Sequence, residues 1–233
     1  MRILALDTSS RSCSVAVTDA ATLLAEITSE DGQSHSRHAM AMVHAALEFA
    51  GTDIHGIDGF AFTSGPGSFT GLRIGISTIL GLAAATHKPV AGVSGLEALA
   101  LQAAVPDRII CPMIDAGRKE VYTARYRWIN GVLAAESDAR VLPPNLAVQG
   151  LDAPAVFTGN GARTYRAVLR EFLGADACFA PDGQGVLRAA TIAAIARRRF
   201  DAHDEDDIYH FKPLYIRKSD AKIPEGGGQV ADS

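Results

Sequence analysis

The most constraining feature of this sequence is an apolar segment that ends in aspartate and occurs twice. Ile3-Leu4-Ala5-Leu6-Asp7 aligns with Cys111-Pro112-Met113-Ile114-Asp115, and each is followed by a polar tip and an alternating segment. This pattern is typical of a β-hairpin. Strands followed by helices, in an order repeated once, predict two α/β halves with a common plan. The alternative is chance, because many α/β segments share the order strand, turn, strand.

The remaining predicted elements fit this plan. Strands are predicted at Arg2–Asp7, Ser12–Thr18, Thr22–Thr28, Ile57–Ser64, Pro89–Val93, Arg108–Asp115 and Glu120–Arg127. Helices are predicted from Ser34 or Ser36 to Gly51, from the glycine-rich turn to Thr86, and at Gly95–Ala104, Ala162–Leu173 and Val186–Phe200. We expect an N-terminal lobe over residues 1–104, a C-terminal lobe over 105–218 whose last helix can pack back on the first, and a flexible tail over 219–233.

Composition excludes several classes of protein. With 48% hydrophobic and 21% charged residues, the chain is not mainly disordered, and a net charge of −4 argues against holding nucleic acid through overall charge. Cys13, Cys111 and Cys178 lie far apart, which excludes a disulfide scaffold or a cysteine-based zinc site. The first residues lack the apolar core of a signal peptide, so we expect a cytoplasmic protein with no membrane span.

Two helices of the first half carry more apolar surface than one core-facing stripe requires. On the first helix, Ala39, Met42, Ala46 and Phe49 form one apolar group, and Met40, Val43 and Leu47 form another beside it. On the second, Arg73 is the one charged residue, and Gly71 and Gly75 would let another helix backbone approach. A fully internal helix is one explanation, but two such neighbours favour a subunit interface. The expected interface residues are Met40, Met42, Val43, Leu47, Gly71, Arg73, Gly75, Ile76 and Leu80.

A glycine-rich turn precedes the second helix, and consists of Gly65, Pro66, Gly67, Ser68, Phe69 and Thr70. Its glycines permit positive φ, and Ser68 or Thr70 can cap the helix. Free N–H groups there could bind phosphate, but the lysine of a Walker motif is missing. The residues therefore favour a structural turn.

Four segments carry a resemblance to a known family. They are Ile-Leu-Ala-Leu-Asp-Thr-Ser at residues 3–9, Gly-Pro-Gly-Ser-Phe-Thr-Gly-Leu-Arg-Ile-Gly at 65–75, Asp-Ala before Glu-Val-Tyr within 115–122, and Pro-Leu-Tyr-Ile-Arg at 213–217. Together they resemble the bacterial TsaB family, also called YeaZ, over residues 1 to about 218. One departure is Gly117, where the family usually has arginine, and another is Lys119, where it usually has glycine; both permit a shifted turn.

The resemblance implies an α/β, actin-like/sugar-kinase/Hsp70-like (ASKHA) fold with two related lobes, each with a mixed β-sheet and flanking helices. It implies a non-catalytic partner of TsaD, the transferase that makes threonylcarbamoyladenosine at position 37 of tRNA, with TsaE as the ATPase. Such a chain forms a heterodimer with TsaD, or a homodimer when alone, through helices that correspond to about Ser34–Ala50 and Thr70–Thr86. It would reach tRNA only through the complex.

The rival hypothesis is an enzyme, either a nucleotide-dependent kinase or a metallopeptidase. Asp7 and Asp115 end equivalent strands and could organise Mg²⁺-ATP in a cleft, although Asp also favours turns. His35 and His38 could share a metal, but His44 lies off their helix face. We therefore expect a degenerate cleft at Asp7 and Asp115, no catalytic residue, no metal and no cofactor.

Overall fold

The computed structural model describes residues 1–30, 35–151 and 153–217, and it places them in two β-sheets with helices against both. The first half contains β1 (Arg2–Asp7), β2 (Cys13–Asp19), β3 (Thr22–Ser29), α1 (His35–Phe49), β4 (Gly59–Gly65), α2 (Phe69–Thr86), β5 (Val90–Ser94) and α3 (Gly95–Gln102). The second contains β6 (Ile109–Asp115), β7 (Val121–Thr123), β8 (Tyr126–Ile129), β9 (Val132–Ala135), β10 (Arg140–Leu142), α4 (Pro144–Ala147), β11 (Ala155–Thr158), α5 (Asn160–Thr164), α6 (Arg166–Leu173), β12 (Ala177–Phe179) and α7 (Ala189–Asp201). Ser34 and the predicted tail over 219–233 lie outside the described residues.

The two sheets share one strand order, which confirms two related halves. The first runs β3-β2-β1-β4-β5, with β1 antiparallel to β2 and parallel to β4. The second runs β10-β7-β6-β11-β12, with β6 antiparallel to β7 and parallel to β11. Asp7 ends β1 and Asp115 ends β6, so the two aspartates close equivalent central strands.

The central strands of the first sheet are buried on both faces, which explains their nearly continuous apolar sequences. Side chains alternate along a strand, so Leu4 and Leu6 pack in the core beneath α1 and α2. Ile3 and Ala5 pack in the core that α3 and α7 cover. The last helix therefore lies on the first sheet. The division into lobes at residue 104 stays a prediction.

Side chains of the first sheet fix the start of α7. The Glu26 carboxylate accepts hydrogen bonds from the Ala190 amide at 3.0 Å and from Arg188 Nε at 2.8 Å. Ser14 Oγ accepts another from the Ala189 amide at 3.0 Å. The first N–H groups of a helix have no partner within the helix, so these acceptors supply the cap that α7 itself lacks.

Two predicted elements of the second half are divided in the structure. The predicted strand Glu120–Arg127 becomes β7, which pairs with β6 and β10, and β8, which pairs with the start of β6 and with β9. The predicted helix Ala162–Leu173 is interrupted at Tyr165, where φ is −104° and ψ is 20°. The helix predicted from Val186 begins later, because Gln102 binds the Val186 carbonyl and the Arg188 amide and holds this segment extended.

Candidate docking surface and cleft

The glycine-rich turn between β4 and α2 is held by contacts with the same chain. Gly65 has a φ of +129°, and a Cβ there would lie 2.5 Å from the Leu214 carbonyl oxygen. Ser68 is the N-cap of α2 and accepts a hydrogen bond from the Gly71 amide, while its own amide donates to the Ser9 carbonyl at 2.7 Å. These contacts support the structural interpretation of the turn over a phosphate site.

Gly71 and Gly75 of α2 lie against a turn of the same chain. A Cβ at Gly71 would lie 2.1 Å from the Thr8 carbonyl oxygen, and one at Gly75 would lie 2.4 Å from Thr8 Oγ1. Thr8 Oγ1 also donates to the Gly71 carbonyl at 2.7 Å. Thr8 of the chain's own β1–β2 turn therefore fills the space beside both glycines, with its carbonyl at Gly71 and its side chain at Gly75. A contact of these glycines with a helix of another protein stays a prediction.

Three further residues of the expected interface belong to the chain's own core. Met42, Val43 and Ile76 are 8%, 2% and 6% exposed, and they pack together with β1, β2 and β4. The helical pattern showed excess apolar surface but could not tell which side faces the sheet. Substituting Val43 or Ile76 with aspartate would disturb folding as well as docking, so these positions cannot test an interface cleanly.

Apolar surface nevertheless remains on the outside of these helices. Met40 is 50% exposed and Phe69 39%, while Leu47 and Leu80 are half-buried. We call this exposed side the outer face; its residues are Met40, Leu47, Phe69, Arg73, Leu80 and Gly81. Only 33% of α2 is buried in the chain. Among the described residues α2 alone is long and apolar enough to cross a membrane, which is weak support for a span because core helices pass the same test.

The segment after α7 returns to the glycine-rich turn. The Leu214 amide donates to the Ser64 carbonyl at 2.8 Å, and the ring of Phe211 meets that of Phe62 edge-on at 4.7 Å. We call residues 211–217 the C-terminal strap. It covers the end of β4, so the Pro-Leu-Tyr-Ile-Arg segment and the glycine-rich turn are in contact.

Arg217 joins the strap to the second half. Its Nη1 donates to the Ala116 carbonyl at 2.8 Å, and its Nη2 pairs with the Glu120 carboxylate. The turn between Asp115 and Glu120 thus contacts the strap, and the strap contacts the glycine-rich turn. Three segments that are distant in sequence, and that carried the resemblance, meet in the structure.

The departures from the family pattern fall in left-handed backbone. Gly117, Arg118 and Lys119 have φ values of +67°, +55° and +62°. Glycine adopts this conformation freely, whereas a residue with a Cβ is strained there. Lys119 therefore occupies a position that suits the family's usual glycine, and the turn bears the strain.

A cleft of about 370 Å³ lies between the β1–β2 turn and the end of β6. Asp115, Asn160 and Arg163 line it from the second half, and Ser9 to Ser12 and Glu30 line it from the first. An ion pair of 3.1 Å joins Arg163 to Glu30 and so bridges the two halves. The cleft is lined largely by polar side chains, and this ion pair crosses it.

The two aspartates differ in position, which corrects the expectation that both face the cleft. Asp115 lines it, and its Oδ1 accepts from the Gly117 amide at 2.9 Å. Asp7 is fully buried behind the turn and is not a lining residue. Its Oδ1 accepts from the Ser9 amide, from Ser9 Oγ at 2.6 Å and from Thr63 Oγ1 at 2.7 Å. Asp7 therefore fixes the hairpin tip.

Other titratable groups near the cleft give little sign of acid–base chemistry. Tyr165 donates weakly to Asp115 at 3.4 Å; burial and, after it, the nearby Asp115 charge raise the pKa of Tyr165. Within residues 1–30, 35–151 and 153–217, no three His, Cys, Asp or Glu side chains are placed to hold a metal. His38 and His44 are exposed, and the side chain of His35 lies outside the described part of the chain.

Sequence reasoning missed the residues that connect the motifs. Thr8, Ser9, Glu30, Arg163 and Arg217 act through contacts with distant segments, and no local pattern distinguishes such residues. The signal that the sequence did offer was the Pro-Leu-Tyr-Ile-Arg segment at residues 213–217, which carried part of the resemblance although it belongs to no predicted helix or strand.

A family model and two curated relatives that match this chain are all named for threonylcarbamoyladenosine or its transferase in tRNA. The family described as "TsaD: tRNA N6-adenosine threonylcarbamoyltransferase" matches residues 22–225. The chain is 34% identical to "tRNA threonylcarbamoyladenosine biosynthesis protein TsaB" of Escherichia coli, covering 96% of this chain and 99% of that protein. It is 29% identical to the protein of the same name from Bacillus subtilis, covering 95% and 96%.

Solved structures of similar fold include a protein of the same family. "YeaZ from Pseudomonas aeruginosa" superposes with a TM-score of 0.79 at 29% identity, covering 92% of this chain and 99% of that one. Ethanolamine utilization protein EutJ from Carboxydothermus hydrogenoformans superposes with a TM-score of 0.55 at 11% identity, covering 83% and 89%, which concerns the fold alone. The predicted actin-like α/β fold with two related lobes is confirmed.

Proposed function

The chain belongs to the TsaB family, also called YeaZ, and on that premise we propose that it is a non-catalytic scaffold subunit in tRNA modification. It takes part in threonylcarbamoyladenosine biosynthesis, the process for which its curated relatives are named. Its role is to bind and support TsaD, the threonylcarbamoyltransferase acting at position 37, together with the ATPase TsaE. It forms a homodimer when alone, reaches tRNA only through the complex, and works in the cytoplasm.

The observation that carries the proposal is the outer face of α1 and α2. Met40 and Phe69 remain exposed there, although the helices already supply the sheet with Met42, Val43 and Ile76 as core. Apolar side chains that a chain does not bury itself are characteristic of interfaces. A second protein that covers this face would remove them from water.

The cleft supports a subunit without chemistry of its own. The Asp7 carboxylate is engaged by Ser9 and Thr63 in holding the hairpin tip, and Arg163 and Glu30, which line the cleft, are paired with each other. A carboxylate already bound by neighbouring hydroxyls is poorly placed to organise Mg²⁺ and phosphate. Of the two aspartates at equivalent strand ends, Asp115 lines the cleft and Asp7 does not.

Reconstitution tests this proposal. TsaD and TsaE from the same organism are incubated with tRNA, ATP and a threonylcarbamoyl donor, with and without this chain, and modified adenosine is measured. We expect modification only when the chain is present with TsaD, and none with the chain alone. Modification by the chain without TsaD would refute the scaffold role.

An enzyme is the rival function, because a cleft of about 370 Å³ lies between the two halves and could hold a small ligand. A kinase-like or metallopeptidase-like member of the superfamily would bind nucleotide or metal there. Calorimetric titration of the isolated chain with Mg²⁺ and ATP, and with zinc, separates the hypotheses. Stoichiometric micromolar binding that Asp115→Asn abolishes would favour the enzyme.

A further inference from the structure

Arg73 is the one charged residue of α2 and lies exposed on the outer face. Its Cζ is 3.8 Å from the centroid of the Phe69 ring, one turn earlier on the same helix. In the described ranges of the chain, no carboxylate forms an ion pair with Arg73. A guanidinium that stacks on a ring keeps its N–H edge available for a planar acceptor.

The strap braces this stack. Tyr215 lies against Phe69 with ring centroids 5.1 Å apart, and both side chains are 39% exposed. The adjacent Leu214 amide is fixed to Ser64, and Phe211 is packed on Phe62. The rings are therefore held in place before any ligand arrives, so little side-chain entropy is lost on binding.

We propose that the stack of Tyr215, Phe69 and Arg73 is an anchor for a carboxylate of the protein partner, presented between apolar side chains. This inference rests on the scaffold function proposed above and specifies the chemistry of that docking surface. Arginine and tyrosine are the residue types that dominate binding energy at interfaces, especially when they are rigid and surrounded by apolar contacts. An Arg–carboxylate pair is planar and bidentate, which would fix the register of the partner on the helix.

The charge around the anchor favours a protein over RNA. Arg37 is the one lysine or arginine of α1, and α2 carries no lysine or arginine besides Arg73. Of the two cations in the strap, Arg217 is already paired with Glu120, which leaves Lys212. Binding of a nucleic-acid backbone requires several phosphate contacts, and the chain has a net charge of −4.

The experiment measures the dissociation constant of the full chain for TsaD by calorimetry, in low and in moderate salt. Arg73→Glu should weaken binding at least thirtyfold, and Arg73→Lys about three- to tenfold, because lysine keeps the charge but loses the planar fork. The matched control is Arg170→Glu, since Arg170 is also exposed and lies 5.5 Å from the Phe179 ring on the second half. We expect that control to bind within twofold of wild type.

The brace has its own test. Tyr215→Ala should weaken binding about fivefold, and its effect should largely disappear in the Arg73→Ala background, because the ring acts through the arginine. Wild type should lose more affinity with added salt than Arg73→Ala does. Equal losses for Tyr215→Ala in both backgrounds would overturn the brace.

The possible outcomes distinguish a failure of the Arg73 anchor from a failure of the proposed scaffold function. If wild type binds TsaD and Arg73→Glu, folded by circular dichroism, binds equally well, the anchor is wrong and the scaffold function stands. If wild type does not bind TsaD at all, the scaffold function fails and the anchor fails with it. If Arg73→Glu loses affinity for tRNA and keeps its affinity for TsaD, the ligand is RNA and the protein anchor is overturned.

Discussion

Met40 and Val43 offer the sharpest test of which side of α1 faces outward. They lie three residues apart on one helix, yet Met40 is 50% exposed and Val43 is 2% exposed. Val43→Ala removes two methyl groups from the core at about 0.8 kcal/mol each, and the cavity raises the cost to about 2–3 kcal/mol. Met40→Ala should cost about 0.5 kcal/mol, because half of the side chain is already in water.

The expected consequences are opposite for folding and for binding. Val43→Ala should lower the Tm by roughly 4–12 °C and leave the affinity for TsaD near wild type while the protein is folded. Met40→Ala should leave the Tm nearly unchanged and weaken TsaD binding about tenfold, as for a central interface residue. Urea titration and calorimetry on the same samples measure both. A Met40 variant that is destabilised and still binds fully would refute the assignment of the outer face.

Three further predictions concern stability. Gly71→Ala should destabilise the fold by at least about 2 kcal/mol, because the new Cβ would lie 2.1 Å from the Thr8 carbonyl oxygen. Gly81→Ala should stabilise it by about 0.5–1 kcal/mol, because no atom lies within 4 Å of the new Cβ and alanine is the better helix former. Thermal melts that show equal effects for the two variants would contradict this. Lys119→Gly should stabilise by about 0.5–1 kcal/mol, since φ there is +62°, and an unchanged urea midpoint would speak against strain in the turn. Burial raises the pKa of the Cys111 thiol from 9.0 to about 12. The unfolded chain therefore loses the thiol proton first, so the free energy of unfolding is unaffected by this group below pH 9 and falls as the pH rises, by roughly 1.4 kcal/mol at pH 10. Cys111→Ala should make the free energy of unfolding less dependent on pH in this range. An equal pH dependence in both proteins would exclude Cys111 as the cause.

The doubled architecture could be predicted because its signal is local. Buried strands are continuous apolar runs, and the aspartates that end β1 and β6 mark the same place in both halves. Strand limits were correct to within two residues in most of the first half for the same reason. β7 and β8 could not be separated in sequence, because their division depends on different partner strands.

The composition of the docking surface was less predictable. A helical pattern locates apolar groups around an axis, but the position of the sheet decides which group is covered. Met42, Val43 and Ile76 therefore moved from the expected interface into the core, whereas Met40 and Arg73 remained outside. The space beside Gly71 and Gly75 was filled by Thr8, a contact between residues more than sixty positions apart.

The claim at the centre of this account is that the chain promotes tRNA modification by docking and supplies no reacting group. The most direct measurement titrates wild type and Met40→Ala into fixed TsaD, TsaE, ATP and tRNA and records the initial rate of modification. The account predicts one plateau for both proteins, with the half-saturating concentration of Met40→Ala about tenfold higher. A lower plateau for this folded variant at saturation would contradict it, because the outer face would then affect the chemical step itself.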